Sequence, residues 1–346
     1  MSTVATPAEP ATRDQPSAVP LVHLILGSMT TQAIYVAAEL GIADVLAAGP
    51  RTAAEIAQQV GADAEAVHRL LRLLTSYSVF AEENGSFSLT PMSDALRSDA
   101  PVTMRSLARL MGHPIHWEDW GQLAESVRTG EPSLPKLRGM GAFEYLAANP
   151  EYGAVFGQGM GNLSDLETVP LAEAYDYRQF GTIVDVGGGG GSLLAAVLAR
   201  APGSRGVLFD DRAADFGAGE LLAGAGVADR CTIEGGSLFD PVPRGGDAYL
   251  LKHIVHDWPQ PQAVEILRNV RAAIKPGGRL LLMEFVVPDD NVQHISKQVD
   301  LWLMLLVGGK ERTAAQYSEL LAAAGFRLER VVRTVSPVSI VEARPV

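Results

Sequence analysis

Apolar and polar positions change rhythm midway along the chain. After Phe180, short β-branched runs at 182–186, 206–209, 231–234, 247–252 and 279–286 alternate with stretches of helical spacing. This series predicts βαβ units, hence a parallel sheet with helices on both faces. Pro276-Gly277-Gly278 makes the turn into the fifth run, and 326–335 and 338–343 flank Ser336-Pro337 as an antiparallel hairpin. The first half reads differently. Leu24, Ile25, Met29, Ala33, Ile34, Ala37 and Ala38 predict an almost uncharged helix over 21–40, which needs a burial partner such as a second subunit. Gly41 interrupts it before a short apolar piece over 42–48. Thr52 and Glu55 form a capping box for a helix to about Gln59, and Gly61 and Asp63 make a turn. Asp63 or Ala64 then starts a helix with Val67, Leu70, Leu71 and Leu74 on one face. A hairpin over 80–89 turns at Glu83-Asn84-Gly85, which completes a winged-helix pattern.

From 102 to 171 the pattern is mostly helical, broken at 129–132, with Trp117, Trp120 and Tyr145 as prominent aromatics. The predicted organisation is a disordered tail over 1–18, a winged-helix-like dimerisation domain over 19–100, a helical substrate-lining region over 101–175, and an α/β domain over 176–346. The tail is rich in Ala, Pro, Ser and Thr and lacks the apolar core of a signal peptide.

Composition narrows the function classes. The net charge of -12 argues against a nucleic-acid partner, which favours a basic face. A lone Cys231, read as core, excludes a disulfide framework and a multi-cysteine zinc site. Uninterrupted apolar runs such as 301–307 are too short to span a bilayer. The expectation is a soluble cytoplasmic protein with no membrane partner.

The densest chemical signal is Asp185-Val186-Gly187-Gly188-Gly189-Gly190-Gly191 after the first predicted strand. Such a glycine run lets a ligand approach the backbone closely. The nucleotide-dehydrogenase fingerprint needs a glycine at its sixth position, where this chain has Ser192, Leu193 or Leu194, so NAD chemistry fails here. The Asp-x-Gly-x-Gly-x-Gly spacing is complete. About 20 residues on, Asp210 ends the next strand, where an acid accepts hydrogen bonds from ribose hydroxyls; adjacent Asp211 competes for that role. His256 follows the fourth strand at the carboxyl edge of the sheet, suited to take a proton near neutral pH. Glu284 and Glu311 are carboxylates able to fix its tautomer and stabilise its imidazolium. No His/Asp/Glu cluster has convincing metal-ligand spacing, so no metal is expected.

In one order the chain carries a winged-helix-like domain, Asp-x-Gly-Gly-Gly-x-Gly, Phe209-Asp210, Lys252-x-x-x-His256-Asp257-Trp258 and Gly308-Gly309-Lys310-Glu311-Arg312-Thr313. Together these resemble the S-adenosylmethionine (SAM)-dependent O-methyltransferases of the plant caffeate type and their actinobacterial natural-product relatives. The resemblance implies a class I methyltransferase Rossmann-like fold, a homodimer joined through the N-terminal helices, and SAM as methyl donor with S-adenosylhomocysteine as product. It implies in-line transfer to a small aromatic hydroxyl, with His256 as general base oriented by Glu284 and Glu311. By the same resemblance, Asp185, Gly187, Gly189, Gly191, Asp210, Ser237, Leu238 and Lys252 would bind the cofactor, Lys252 through its side chain or backbone. Trp117, Met160, Asp257, Asp300 and Met304 would line the substrate pocket; His253 would contact substrate or cap the strand end.

Two departures lie on the cofactor side. Ser237 stands where the family has an adenine-binding Asp, which predicts binding weaker by about 1 kcal/mol unless Asp240 compensates. Asp211-Arg212 stands where Leu-Pro is common. Two rival readings are a SAM-binding enzyme with non-methylating chemistry, and a winged-helix DNA-binding regulator using Arg69 and Arg72. Retention of His256, Glu284 and Glu311 favours methyl transfer over the first, and the scarcity of basic residues on the recognition helix weighs against the second.

Overall fold

The computed structural model describes residues 18–346, so the tail expected over 1–18 falls outside the described residues except for Ala18. The chain divides into two compact units, Met1–His113 and Pro114–Val346.

In the first unit, two successive helices, Val19–Ile25 and Gly27–Glu39, occupy the span expected to hold one. Their inner face buries Ala33, Ala37 and Ala38. Their outer face leaves Leu24 78% and Met29 60% exposed within the protomer. Val19–Glu39 is also long and apolar enough by composition to cross a membrane. The expectation that every apolar stretch is too short is thereby corrected: it considered unbroken runs, and here small polar residues interrupt the apolar ones. Helix Ala53–Val60 starts with the expected box, Thr52 Oγ1 accepting from Glu55 N and Glu55 Oε2 accepting from Thr52 N. Helix Ala64–Ser76 starts at Asp63, whose Oδ1 accepts from Ala66 N. The hairpin forms from β2 (Phe80–Glu83) and β3 (Ser86–Leu89), and the short β1 (Arg51–Thr52) adds a third strand beside β3. Ile56, Leu71, Leu74, Phe80 and Phe87 make its core.

The second unit is built on a seven-stranded sheet of order β6-β5-β4-β7-β8-β10-β9. The strands are β4 (Thr182–Val186), β5 (Arg205–Phe209), β6 (Cys231–Glu234), β7 (Ala248–Lys252), β8 (Arg279–Phe285), β9 (Phe326–Arg333) and β10 (Val338–Pro345). The first five are parallel, and the β9–β10 hairpin closes the sheet antiparallel to β8. Alternation along the strands supplies two cores. Ile183, Leu208, Leu250 and Leu281 face one helical layer, while Val184, Phe209, Leu251 and Leu282 face the other. Strand order reverses at β4, which lies between β5 and β7. Open α/β sheets bind ligands in the crevice at that point, outside the carboxyl ends of the strands. Asp185, Asp210, Lys252 and Glu284 all sit at that edge.

Candidate active site

A cavity of about 530 Å³ opens over the carboxyl edge of β4, β5 and β7. The glycine loop forms its floor. Gly187 and Gly189 have φ of 72° and 54°, a region that side chains with Cβ disfavour, so the loop stays free of side chains where it faces the cavity. Asp185 lies just before it, buried, and neither carboxylate oxygen has a hydrogen-bond partner. Burial pushes its pKa up to about 7, with Lys252 pulling the other way. Asp210 ties β5 to this loop: its Oδ2 accepts from Gly189 N at 2.9 Å and its Oδ1 from Arg212 N at 2.8 Å. Asp211 is absent from the cavity lining.

Not every expected cofactor residue reaches the cavity. Gly191, Ser237 and Leu238 are off the lining. A side chain at Gly191 would meet Leu208 and Leu222, so that glycine serves core packing. Ser237 is turned into its own loop, its Oγ accepting from Phe239 N and its backbone N–H donating to Asp240. Lys252 does line the cavity, but its Nζ donates to Ser164 O and Oγ at 3.1 and 2.7 Å and lies 3.3 Å from Glu167 Oε2.

The His256 constellation assembles from three segments distant in sequence. His256 sits in a 3-10 turn, Val255–Asp257, just past β7. Its Nδ1 is 2.8 Å from Glu311 Oε1 and 3.6 Å from Glu284 Oε2. A carboxylate accepts, so Nδ1 carries a hydrogen, while Nε2, 3.5 Å from Asp257 Oδ1, holds the lone pair only in the neutral ring. Glu284 is fully buried on β8, and its Oε1 accepts from Ile254 N and Val255 N, which fixes the turn itself. Burial opposes charging of His256, but the Glu284, Asp257 and Glu311 carboxylates outweigh it and raise the imidazole pKa to about 10. Burial also raises the pKa of Glu284.

The loop carrying Glu311 is held against this turn. Lys310 N donates to His256 O at 2.9 Å, and the buried Arg312 donates to Val255 O at 3.0 Å. A Cβ at Gly309 would lie 2.0 Å from His256 O, so only glycine permits this approach. Asp300, expected on the substrate wall, instead accepts from Glu311 N at 2.8 Å and is off the lining. Met304 is also off the lining. Helix Ser296–Leu306 lines the cavity with Val299, Trp302, Leu303 and Leu306, and a step of ~100° per residue turns Asp300 and Met304 to the adjoining face. Trp117 is also off the lining: on its helix, Pro114–Trp120, His116 and Asp119 point inward. Met160, His253 and Asp257 do line the cavity, and Phe143, Tyr145, Phe156 and Trp302 make its walls mostly apolar.

One residue that sequence reasoning missed stands out. Glu167, buried on helix Pro150–Glu173, lines the cavity and lies 2.8 Å from His253 Nε2. The His253 side chain therefore pairs with a residue of that helix. Donor atoms of His253, His256 and Glu284 also lie within 4.8 Å of one another, a metal-like grouping that was not anticipated, although His256 Nδ1 is already engaged by Glu311.

Comparison with known proteins bears on this geometry directly. Residues 120–327 match the family model of the O-methyltransferase domain, and residues 22–99 match that of the O-methyltransferase dimerisation domain. The chain is 42% identical to phenazine O-methyltransferase PhzM of Lysobacter antibioticus, over 94% of this chain and 96% of the relative. It is 40% identical to the mitomycin biosynthesis 6-O-methyltransferase of Streptomyces lavendulae, over 99% of both. Its structure superposes on that of CalO1, a methyltransferase in calicheamicin biosynthesis in its S-adenosylhomocysteine-bound form. The TM-score is 0.87 at 38% identity, covering 95% of this chain and 98% of that one. With both units matched and a cofactor-bound neighbour of the same fold, the chain belongs to the SAM-dependent O-methyltransferases.

Proposed function

We propose that this enzyme methylates a hydroxyl of a small, planar aromatic acceptor in secondary metabolism, with His256 as the general base. The observation that carries the reading is the His256 ring, with Nδ1 held by Glu311 and Nε2 on the opposite edge of the ring among cavity-lining residues. The cofactor fits the residues present: an unpartnered buried carboxylate at Asp185, a glycine loop clear of side chains, and Asp210 at the end of β5. When bound, SAM supplies a methyl group made electrophilic by its sulfonium. The chain's own residues hold and orient the partners and move the proton. A phenol has a pKa of about 10. The neutral ring of His256, whose pKa is raised to about 10, takes that proton with little energetic mismatch, and the fraction of enzyme carrying it grows with pH. Glu311 and Glu284 stabilise the imidazolium that results, and Asp300 steadies Glu311 through its backbone.

Phe143, Phe156, Met160 and Trp302 suit a flat apolar acceptor, and the names of the phenazine and mitomycin relatives support a polycyclic one. The dimerisation-domain match and the exposed Leu24, Ile25 and Met29 support a homodimer that covers the N-terminal helices. The acidic balance of the chain supports a small-molecule role in the cytoplasm without nucleic-acid or membrane partners.

The test is transfer from methyl-labelled SAM to hydroxyphenazines, hydroxyquinones and hydroxynaphthoates. Label on product oxygen with the wild type, lost in His256→Ala while SAM still binds, is the expected result. Undiminished transfer by His256→Ala would remove the base from the mechanism.

A further inference from the structure

His253 has a backbone φ of 52°, in the left-handed region that histidine occupies at an energetic cost. Only Ser78 and Asn84 share that property among the other described non-glycine residues, and neither lines the cavity. Glycine or asparagine would satisfy such a backbone at lower cost, so the imidazole itself needs a reason. Three contacts supply one. Its ring stacks on His256, with centroids 5.0 Å apart and planes 27° from parallel. Phe285 packs on it at 5.2 Å. Its Nε2 is 2.8 Å from Glu167 Oε2, an acceptor that fixes the hydrogen on Nε2. Glu167 is in turn 3.3 Å from Lys252 Nζ, so the end of β7, the residue that follows it and helix Pro150–Glu173 meet at one carboxylate.

We propose that His253 and Glu167 are a positioning pair for the general base. Glu167 anchors the His253 ring, and that ring forms the wall against which the plane of His256 is set. The proposal rests on the reading of His256 as base. Glu311 holds one edge of the His256 ring, but a hydrogen bond at a single nitrogen leaves the ring free to tilt about it. Stacking by His253 removes that freedom. The same pair links the base to the helix that carries Phe156 and Met160, so ring and acceptor wall stay in register. Methyl transfer is sensitive to such alignment: a displacement of about 1 Å lowers rates by about 100-fold.

The decisive experiment uses full-length enzyme, 15N-labelled at histidine and saturated with S-adenosylhomocysteine, in wild type, His253→Asn and Glu167→Gln. Asparagine tolerates the left-handed backbone, and glutamine keeps the shape of Glu167. The expected wild-type signal is a single, slowly exchanging Nδ1–H resonance for His256, broadened or lost in both variants while the folded amide spectrum persists. With 1-hydroxyphenazine as acceptor, kcat is expected to fall about 10- to 100-fold in His253→Asn. His253→Phe, which keeps a stacking ring, should recover part of that loss.

A pH profile separates positioning from electrostatics. The charged groups facing His256 are Glu284 on β8, Asp257 in its own turn and Glu311 on the following loop, and those facing His253 are Glu167, Glu284, Asp257 and His256. None of the three carboxylates at His256 is altered in either variant, so the acid limb should stay in place while its plateau falls. A His256 resonance unchanged in both variants overturns the proposal. So does a limb that moves by more than one pH unit at constant plateau. Activity abolished by EDTA and restored by Zn²⁺ would also overturn it, by making His253 a metal ligand. His256→Ala is the separate control: if it retains activity, the base reading fails, whereas the resonance still reports whether His253 sets the ring.

Discussion

Asp185 places binding and stability in opposition, and its replacement by asparagine tests both. The carboxyl is buried with neither oxygen hydrogen-bonded, and its pKa stands at about 7 against an ordinary 3.8. A carboxylate with a raised folded pKa destabilises the fold above its unfolded pKa, increasingly so until pH reaches the folded value. The rise from 3.8 to about 7, at 1.36 kcal/mol per pH unit, amounts to roughly 4 kcal/mol against the ligand-free enzyme above pH 7. Asp185→Asn removes that term, so the ligand-free variant should melt at a higher temperature than wild type at pH 8, with the difference shrinking toward pH 5. SAM affinity should move the other way. If the cationic cofactor selects the ionised carboxylate, only about one molecule in eleven is ready at pH 6, and Kd is about tenfold weaker there than at its alkaline plateau. Thermal melts with and without SAM, together with calorimetric Kd values from pH 6 to 8.5, measure both effects. A wild-type Kd flat across that range, or a ligand-free variant less stable than wild type at pH 8, would refute the reasoning.

Three further outcomes follow from the geometry. Because carboxylates raise the His256 pKa, the acid limb of kcat should lie above the ordinary histidine range; Glu311→Gln should shift it downward and lower the plateau by about 100-fold, as read from pH-rate profiles. Gly309→Ala forces a Cβ into His256 O, so activity should collapse while far-ultraviolet circular dichroism stays near wild type; full activity would contradict the close approach. Leu24→Glu with Ile25→Glu places charge on the exposed N-terminal face and should convert dimer to monomer by light scattering, an outcome that a dimer formed elsewhere would not give.

Much of the fold was legible because its signals are local. The β-branched runs gave way to glycine and proline at nearly the observed strand ends, and the Thr52 capping box formed. The third strand beside β3 was not legible, since two residues carry no alternation. The site was legible only where a residue sat in an ordered motif. Glu167 lies in the C-terminal third of a 24-residue helix, 86 positions before its partner His253, and nothing in its neighbourhood marks it as buried. Met304 and Trp302 are equally plausible from spacing; the rotation of their helix about its axis, set by packing, decides between them. The contact of Asp300 with the Glu311 backbone amide was likewise not legible, because spacing does not reveal a contact to a backbone amide.

His256 and the carboxylates around it hang from β7, β8 and the loop bound to the Val255–Asp257 turn, whereas most of the apolar cavity wall comes from helices outside the sheet. On the proposed function, chemistry and recognition are thus carried on separable parts of the chain. Retargeting to a new acceptor should succeed by transplanting 142–160 from a relative, provided Ser164 and Glu167 are kept, because the join then falls before the residues that grip Lys252 and His253. A transplant extended through 167 would carry the seam into the catalytic machinery, which sets the practical boundary for making chimaeras of this enzyme.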